Sequence, residues 1–269
     1  MKSKVTVPKK RLGQNFLISR YYARRIASVV ESTDDSKVIE IGPGKGALSI
    51  FLKERFPRFH LIEMDKDIIP ILKEKLGNGE WTLHVSDVLE FDFEALDSPL
   101  HIVGNLPYNI AALIIKKTLL FSPKVASVTY MVQREVAERI VASPHTKQNG
   151  FLTIFCQFFG SPKILFHVPP GAFIPKPKVE SAVFQVNIDS QVINHLSRGQ
   201  WESFFNFVSN GFSTRRKMLA NSLSLKTGIE KEVIEDTLFQ TGFDKKVRAE
   251  DLDVHEWLRL YSQLREKLK

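Results

Sequence analysis

An open α/β sheet followed by a smaller all-helical region is the fold predicted by three features of this 269-residue sequence. From residue 38 to residue 132, short apolar runs alternate with segments of helical periodicity, the pattern of a parallel sheet with helices on its faces. The first run leads into Gly42-Pro43-Gly44-Lys45-Gly46, a glycine turn at the carboxyl end of a strand, where open α/β sheets bind their ligands. Beyond Ser190 the alternation stops and only helical periodicity remains. Residues 1–189 are therefore expected to form one domain and residues 190–269 a small helical one.

The elements follow in order. Residues 1–18 are a basic arm, with Lys2, Lys4, Lys9, Lys10 and Arg11 before a turn at Gly13 and an apolar end. Ser19 is a candidate cap for a helix over 20–30 that buries Tyr22, Ile26, Val29 and Val30. A strand at 38–41, the glycine turn and a helix over 47–55 make the first unit. The next strand, 59–62, ends in Glu63, and a helix over 67–76 is closed by Gly77-Asn78-Gly79. A strand at 81–85 ends in Ser86-Asp87-Val88, and a fourth at 100–104 leads to Asn105-Leu106-Pro107-Tyr108 and a helix over 110–120. The strand at 125–132 is too uniformly apolar for an exposed edge. The helix after it, 133–142, carries Arg134, Glu135, Glu138 and Arg139, which read as a solvated, ion-paired face. Phe151, Ile154, Phe155 and Phe158 recur at helical spacing as a buried stripe, and strands at 163–168 and 179–188 flank the stiff proline loop 169–177. Helices over 201–212, 215–223, 231–240 and 254–268 complete the chain.

Hydrophobic content of 43% and charged content of 25% belong to an ordinary globular chain. No apolar run reaches the length of a membrane span, and the basic N-terminus lacks the apolar core of a secretory signal. Cys156 is the only cysteine, so internal disulfides and cysteine-built metal sites are excluded and a reducing, cytoplasmic setting is expected. His145 and His167 have no spaced partner and are not assigned to a metal. The net charge is +8, and the first 25 residues add Arg20, Arg24 and Arg25 to the arm with no acid before Glu31. Such an arm favours a polyanion, with phosphate contacts carrying the affinity, although residues 1–7 read better as a solvated tail. The cluster Arg215-Arg216-Lys217 is a second candidate phosphate grip; at a helix start it gains nothing from the helix dipole.

The glycine turn points to a nucleoside ligand. Its spacing is G-x-G-x-G, not the dinucleotide G-x-G-x-x-G, Pro43 removes one N–H, and Lys45 is followed by glycine rather than Ser or Thr. A pyrophosphate needs those donors. Glu63, about 20 residues beyond the first glycine, stands where an acid meets ribose hydroxyls. Met64 can lie against an adenine face or simply pack, and Asp87 can accept from an adenine amino group or simply cap a turn. An adenosine cofactor without phosphates fits this set, and S-adenosylmethionine is the candidate.

Asn105-Leu106-Pro107-Tyr108 puts an amide, a fixed-φ proline and an aromatic ring at a strand's carboxyl end. Asn105 Oδ1 and the Leu106 carbonyl can accept from an exocyclic NH₂ while Tyr108 stacks; the alternative is an ordinary strand-to-helix turn. Phe173, held among prolines, can present its ring to a base, or tuck into its own core.

With these residues in view, the chain resembles the small-subunit ribosomal RNA adenine N6-dimethyltransferases, the kasugamycin-sensitivity family. The likeness rests on Arg11-Leu-Gly-Gln-Asn-Phe-Leu17, Ile39-Glu-Ile-Gly-Pro-Gly-Lys-Gly46, Asn105-Leu-Pro-Tyr108, Phe173-x-Pro-x-Pro-x-Val-x-Ser181 and Phe212-x-x-Arg-Arg-Lys-x-Leu-x-Asn-Ser-Leu223. It implies a Rossmann-like class I methyltransferase with a seven-stranded, mostly parallel sheet and a C-terminal helical lobe. It also implies cofactor contacts at Asn15, Leu17, Gly42, Glu63, Asp87 and Asn105, with Gln14, Gly44, Met64 and Val88 completing the pocket. The implied substrate is a pair of adjacent adenosines in the 3′-terminal hairpin of small-subunit RNA, methylated on a pre-ribosomal small subunit; a monomer and no metal are expected. One departure is that Ala111, Ala112 and Leu113 stand where the family often has small hydroxyl residues and a proline.

The chemistry expected of Asn105, Leu106, Pro107, Tyr108 and Phe173 is direct methyl transfer to adenine N6, leaving S-adenosylhomocysteine. Accepting the amino hydrogens favours a pyramidal, nucleophilic nitrogen, and positive charge develops there in the transition state. Lys9, Lys10, Arg11, Arg215, Arg216 and Lys217 are the expected RNA contacts. Rival readings are a large-subunit adenine methyltransferase, against which Leu106 and the 215–223 helix argue, and a non-catalytic RNA-binding factor that keeps the fold. A nicotinamide dehydrogenase is disfavoured by the loop spacing.

Overall fold

The computed structural model describes residues 15–32, 35–56, 58–97, 99–214 and 216–268. They divide into two compact units. One takes the described residues up to Ala137 together with Pro162–Ile188, and the other takes Glu138–Ser161 and the described residues from Asp189 onward.

In chain order the first unit contains β1 (Phe16–Leu17), α1 (Arg20–Val29), β2 (Lys37–Ile41), α2 (Ser49–Arg55), β3 (Phe59–Glu63), α3 (Ile69–Leu76), β4 (Trp81–Val85), β5 (Leu100–Asn105), α4 (Ala111–Leu119) and β6 (Val125–Gln133). Helix α5 (Arg134–Ile140) spans the division between the units, and α6 (Phe151–Phe159) belongs to the second. Then β7 (Lys163–Val168), β8 (Phe173–Ile174) and β9 (Ser181–Asn187) return to the first. The seven-stranded sheet has the order β4-β3-β2-β5-β6-β9-β7. Strands β2 to β6 pair in parallel, and β9 runs antiparallel to both its neighbours. Strand order steps outward in both directions from β2 and β5, so the topological switch lies between them. A ligand crevice opens at that point in doubly wound sheets.

The parallel strands are apolar on both faces because helices cover both faces. Val38, Leu61, Val103 and Met131 are buried against Ala23, Ile26 and Ala27 of α1 and Phe51 and Leu52 of α2. The approach of β2 to β5 is close: a Cβ on Gly104 would come within 2.7 Å of the Ile41 carbonyl oxygen. Only glycine permits this ladder at that position.

One local expectation changes and two gain detail. Ser19 does not cap α1 through its side chain. Its backbone N–H, like that of Ile18, donates to the Ala172 carbonyl, as part of a two-stranded antiparallel pairing of β1 with β8. That pairing sets Leu17 opposite Phe173 and draws both side chains into the core. Helix α4 starts at Ala111 with no side-chain cap at Ile110, in keeping with the missing hydroxyl residues. Arg134 pairs with Glu180 at 3.2 Å rather than only with its own helix.

The second unit adds α7 (Ser190–Ile193), α8 (Trp201–Gly211), α9 (Leu219–Thr227), α10 (Lys231–Gln240) and α11 (Val254–Leu264). Its core is aromatic: Phe155 lies 4.4 Å from Phe205, and Phe158 lies 5.4 Å from Phe204, centroid to centroid. Cys156 is buried in the same helix. A boundary at 190 leaves α6 with the sheet, but α6 buries residues nearly all round its axis and packs on α7, α8 and α11. Helix α9 begins at Leu219, so Arg216 and Lys217 sit in an exposed turn before it.

Candidate active-site cleft

A cleft of about 310 Å³ opens where β2, β3, β4 and β5 end, a volume at the small end of the range for ligand pockets. It is lined together by Asn15, Leu17, Gly42, Gly44, Glu63, Met64, Asp87, Val88 and Asn105, residues drawn from five separate stretches of sequence. Gln14 lies outside the described residues.

The glycine turn is held by its own hydrogen bonds. Gly42 N–H donates to the Ile62 carbonyl at 2.9 Å, Gly44 N–H to Glu63 Oε2 at 3.1 Å and Gly46 N–H to the Pro43 carbonyl at 2.9 Å. These three donors are spent within the protein, and Pro43 has none, so the turn does not offer the fan of N–H groups that cradles a pyrophosphate. Gly44 adopts φ +52°, and a Cβ there would meet the Phe16 ring at 3.3 Å. The turn therefore needs glycine both for its conformation and for the approach of β1.

Glu63 is anchored at both oxygens, since Oε1 accepts from Asp65 N–H at 2.8 Å. The carboxylate has more lone pairs than these bonds use, which leaves acceptor capacity for a ligand hydroxyl. Burial pushes the Glu63 carboxyl above its ordinary value, opposed by the hydrogen bonds from Asp65 and Gly44. Asp87 Oδ1 accepts from Leu89 N–H at 2.9 Å. That bond orients the carboxylate and leaves Oδ2 for a donor in the cleft. Met64, at 46% exposure, forms part of the rim rather than the core.

On the opposite wall, Asn105 Nδ2 donates to the Asn15 backbone carbonyl at 3.0 Å. A carbonyl can only accept, so this contact identifies the nitrogen of the amide and leaves Oδ1 as the free acceptor. Leu106 is buried, its N–H donating to the Met131 carbonyl at 3.0 Å, and this ties the loop to β6. Pro107 and Tyr108 line the cleft beside it. The Tyr108 hydroxyl and Ser181 Oγ are 2.7 Å apart, which fixes the ring, and burial raises the phenol's pKa.

The cleft also holds residues that the motifs do not mark, foremost an acid. Glu40 stands between Ile39 and Ile41 in β2, is 2% exposed, and contributes to the cleft floor. The Ser49 hydroxyl lies beside its carboxyl, and among the described residues Oε2 meets no well-aligned donor. Burial raises its carboxyl from 4.5 to about 8; Ser49 and Lys75 pull it down, and the Glu63 charge pushes it further up. The available signal was an acid inside an otherwise apolar strand, directly before the glycine turn. Apolar wall residues such as Phe16, Leu48 and Ile114 were also missed, because in sequence they read as ordinary core.

The structure does not bring Phe173 to the cleft. Its ring is 2% exposed and packs in the core cluster with Leu17, Phe166 and Val168, because β8 pairs with β1. Of the two readings for this ring, core packing is the one observed. Lys9, Lys10, Arg11 and Arg215 lie outside the described residues, and Arg216 and Lys217 are exposed in the helical unit. Among the described residues, no group of three or more His, Cys, Asp or Glu side chains is placed to hold a metal ion. No helix among them is long and apolar enough to cross a membrane.

Comparison with known proteins agrees with this geometry. A family model described as ribosomal RNA adenine dimethylase matches residues 6–266. "Ribosomal RNA small subunit methyltransferase A" of Thiobacillus denitrificans is 40% identical, covering 93% of this chain and 95% of that protein. The protein of the same name from Alkaliphilus oremlandii is 38% identical, covering 96% and 92%. Among solved structures, a dimethyladenosine transferase from Plasmodium falciparum shares the fold with a TM-score of 0.81 at 21% identity, covering 94% of this chain and 98% of that one. The 23S rRNA methyltransferase ErmE superposes with a TM-score of 0.70 at 26% identity, covering 93% and 100%.

Proposed function

The chain belongs to the ribosomal RNA adenine dimethylase family, and we propose that it dimethylates N6 of two adjacent adenosines in the 3′-terminal hairpin of small-subunit ribosomal RNA. It is an S-adenosylmethionine-dependent enzyme. When bound, that cofactor supplies an electrophilic methyl group on a sulfonium. The residues of the cleft fit it: the glycine turn has spent its donors and asks for no phosphate, while Glu63 and Asp87 present acceptors for ribose hydroxyls and an adenine amino group.

The observation that carries the catalytic reading is the oriented amide of Asn105 in the same cleft as Glu63 and Asp87. Asn105 Oδ1, with the Leu106 carbonyl, accepts the amino hydrogens of the target adenine. This draws the N6 lone pair out of conjugation and stabilises the positive charge that develops on nitrogen. Tyr108 supplies the stacking face, its ring held by Ser181, and alignment of N6 toward the methyl provides much of the rate. No ionised base is required before transfer, and the methylated nitrogen releases its extra proton to solvent after each transfer. We place the enzyme in the cytoplasm, acting as a monomer on a pre-ribosomal small subunit.

Relatives about 40% identical are named for the small subunit, whereas the similar large-subunit enzyme is 26% identical. Labelled S-adenosylmethionine offered separately to unmethylated small and large subunits tests the choice. Paired dimethyladenosines near the small-subunit RNA 3′ end are expected. Label confined to large-subunit RNA would overturn the substrate, and cofactor binding without label in either would overturn the catalytic reading.

A further inference from the structure

The exposed face of α1 is rich in arginine. Ala23, Ile26 and Ala27 turn inward, and Arg20, Tyr21, Arg24, Arg25 and Ser28 form the solvent side, with no acid among them. We propose that this face binds the sugar–phosphate backbone of the substrate RNA, away from the base being modified. The proposal takes its polyanion from the function above; the surface itself is assigned on three independent observations.

First, among the described residues none of these three guanidiniums is paired with a carboxylate, although lysines and arginines elsewhere are, such as Lys37 with Asp97 and Arg134 with Glu180. Second, each guanidinium is held by an aromatic face. Arg20 and Arg24 lie 5.5 and 5.2 Å from the Phe51 ring centroid, and Arg25 lies 4.0 Å from that of Phe166. A stacked guanidinium is partly ordered beforehand and keeps its in-plane donors at the edge, the arrangement suited to phosphate oxygens. Third, a further cation lies near: burial lowers the Lys75 pKa and the Arg20 charge lowers it further, against the opposing pull of the buried Glu40. A helix face that presents three arginines and no acid fits an anionic partner better than an ordinary solvated face, where opposite charges intersperse.

Spacing adds to this. Arg20 and Arg24 are one helical turn apart, about 6 Å along the axis, so the stripe presents successive cations in a row. Its start follows β1, whose Leu17 lines the cleft, so one end of the stripe adjoins the reaction centre. The bland alternative is that the arginines only cover Phe51 and Phe166, which are 3% and 7% exposed. Covering a ring does not need charge, and this separates the two accounts.

The test uses the full chain and a protein-free small-subunit RNA transcript, with binding measured across a range of potassium chloride concentrations. Arg24→Gln combined with Arg25→Gln is expected to weaken binding about tenfold at low salt and to flatten the log–log salt slope by roughly one to two, the signature of lost phosphate contacts. Arg24→Lys combined with Arg25→Lys is expected to retain the slope, and S-adenosylhomocysteine affinity is expected to stay unchanged in both. Arg20→Gln serves as a milder second variant, expected to flatten the slope by roughly one. Unchanged affinity and slope in the glutamine variants would overturn the proposal, and so would lysine variants that lose as much as glutamine ones. The outcome is separate from the functional reading. Wild type that labels no small-subunit adenosine but shows the arginine-dependent slope sinks that reading and leaves the surface standing.

Discussion

The side-chain amide of Asn105 is tied to the backbone carbonyl of Asn15, 90 residues earlier in the chain, at 3.0 Å. One bond thus orients the acceptor expected to meet the substrate amino group, and couples it to the strand that closes the cleft. Asn105→Ala is expected to bind S-adenosylhomocysteine within a few-fold of wild type and to lose turnover by about a hundredfold or more. Asn105→Asp sets a carboxylate oxygen against the Asn15 carbonyl and is expected to lose cofactor affinity as well. Calorimetry alongside single-turnover methylation separates the two effects, and near-normal methylation by the alanine variant would refute the assignment.

Glu40 gives the ligand-free protein a pH dependence. Its folded carboxyl titrates near 8 instead of 4.5, so it holds its proton more tightly folded than unfolded. That contribution to stability is full below pH 4.5 and is lost as pH rises through about 8. The melting temperature of wild type should fall across this window, with Glu63 acting in the same direction because its carboxyl is also raised. Glu40→Gln should flatten the curve. An unchanged slope in the variant would show that another group titrates.

Gly104→Ala forces a Cβ to within 2.7 Å of the Ile41 carbonyl, and backbone on both sides must move. A loss of about 1–3 kcal/mol is expected, read as a lower denaturant midpoint with unchanged m-value. Because Asn105 is the next residue, turnover should fall beyond what the folded fraction explains.

Tyr108→Phe removes the partner of Ser181 Oγ, a residue with 0% exposure. Stranding that hydroxyl should cost about 1–3 kcal/mol of stability. The phenylalanine ring still stacks, so turnover should fall less than in Tyr108→Ala. Equal losses in the two variants would assign the role to the hydroxyl instead.

Phe173→Leu tests the placement of that ring in the core. Melting temperature should drop, corresponding to about 1–2 kcal/mol, while turnover per folded molecule is little changed. A stable but inactive variant would return Phe173 to the substrate.

Much of this was legible because its causes are local. Apolar runs bounded by Gly42, Glu63, Asp87 and Asn105 specify strands and their ends, and a parallel sheet with helical crossovers must put all those ends on one side. Their convergence in one cleft followed from that constraint. The alternation also stops where the chain leaves the sheet for good, at Asp189.

What the sequence by itself determined, then, is the order of the seven strands of the main sheet and the helices between them, the class of ligand the glycine turn accepts and the family; each rests on residue type and short spacing. Tertiary structure alone decided the outcomes that depend on distant pairing. The pairing of β1 with β8 chose the core for Phe173, and the aromatic packing of α6 on α8 drew residues 151–159 into the helical unit. Burial between helices and sheet turned Glu40 from a strand residue into a neutral-leaning acid on the cleft floor. Contacts across tens of residues are set by packing and desolvation, and local periodicity carries no record of either.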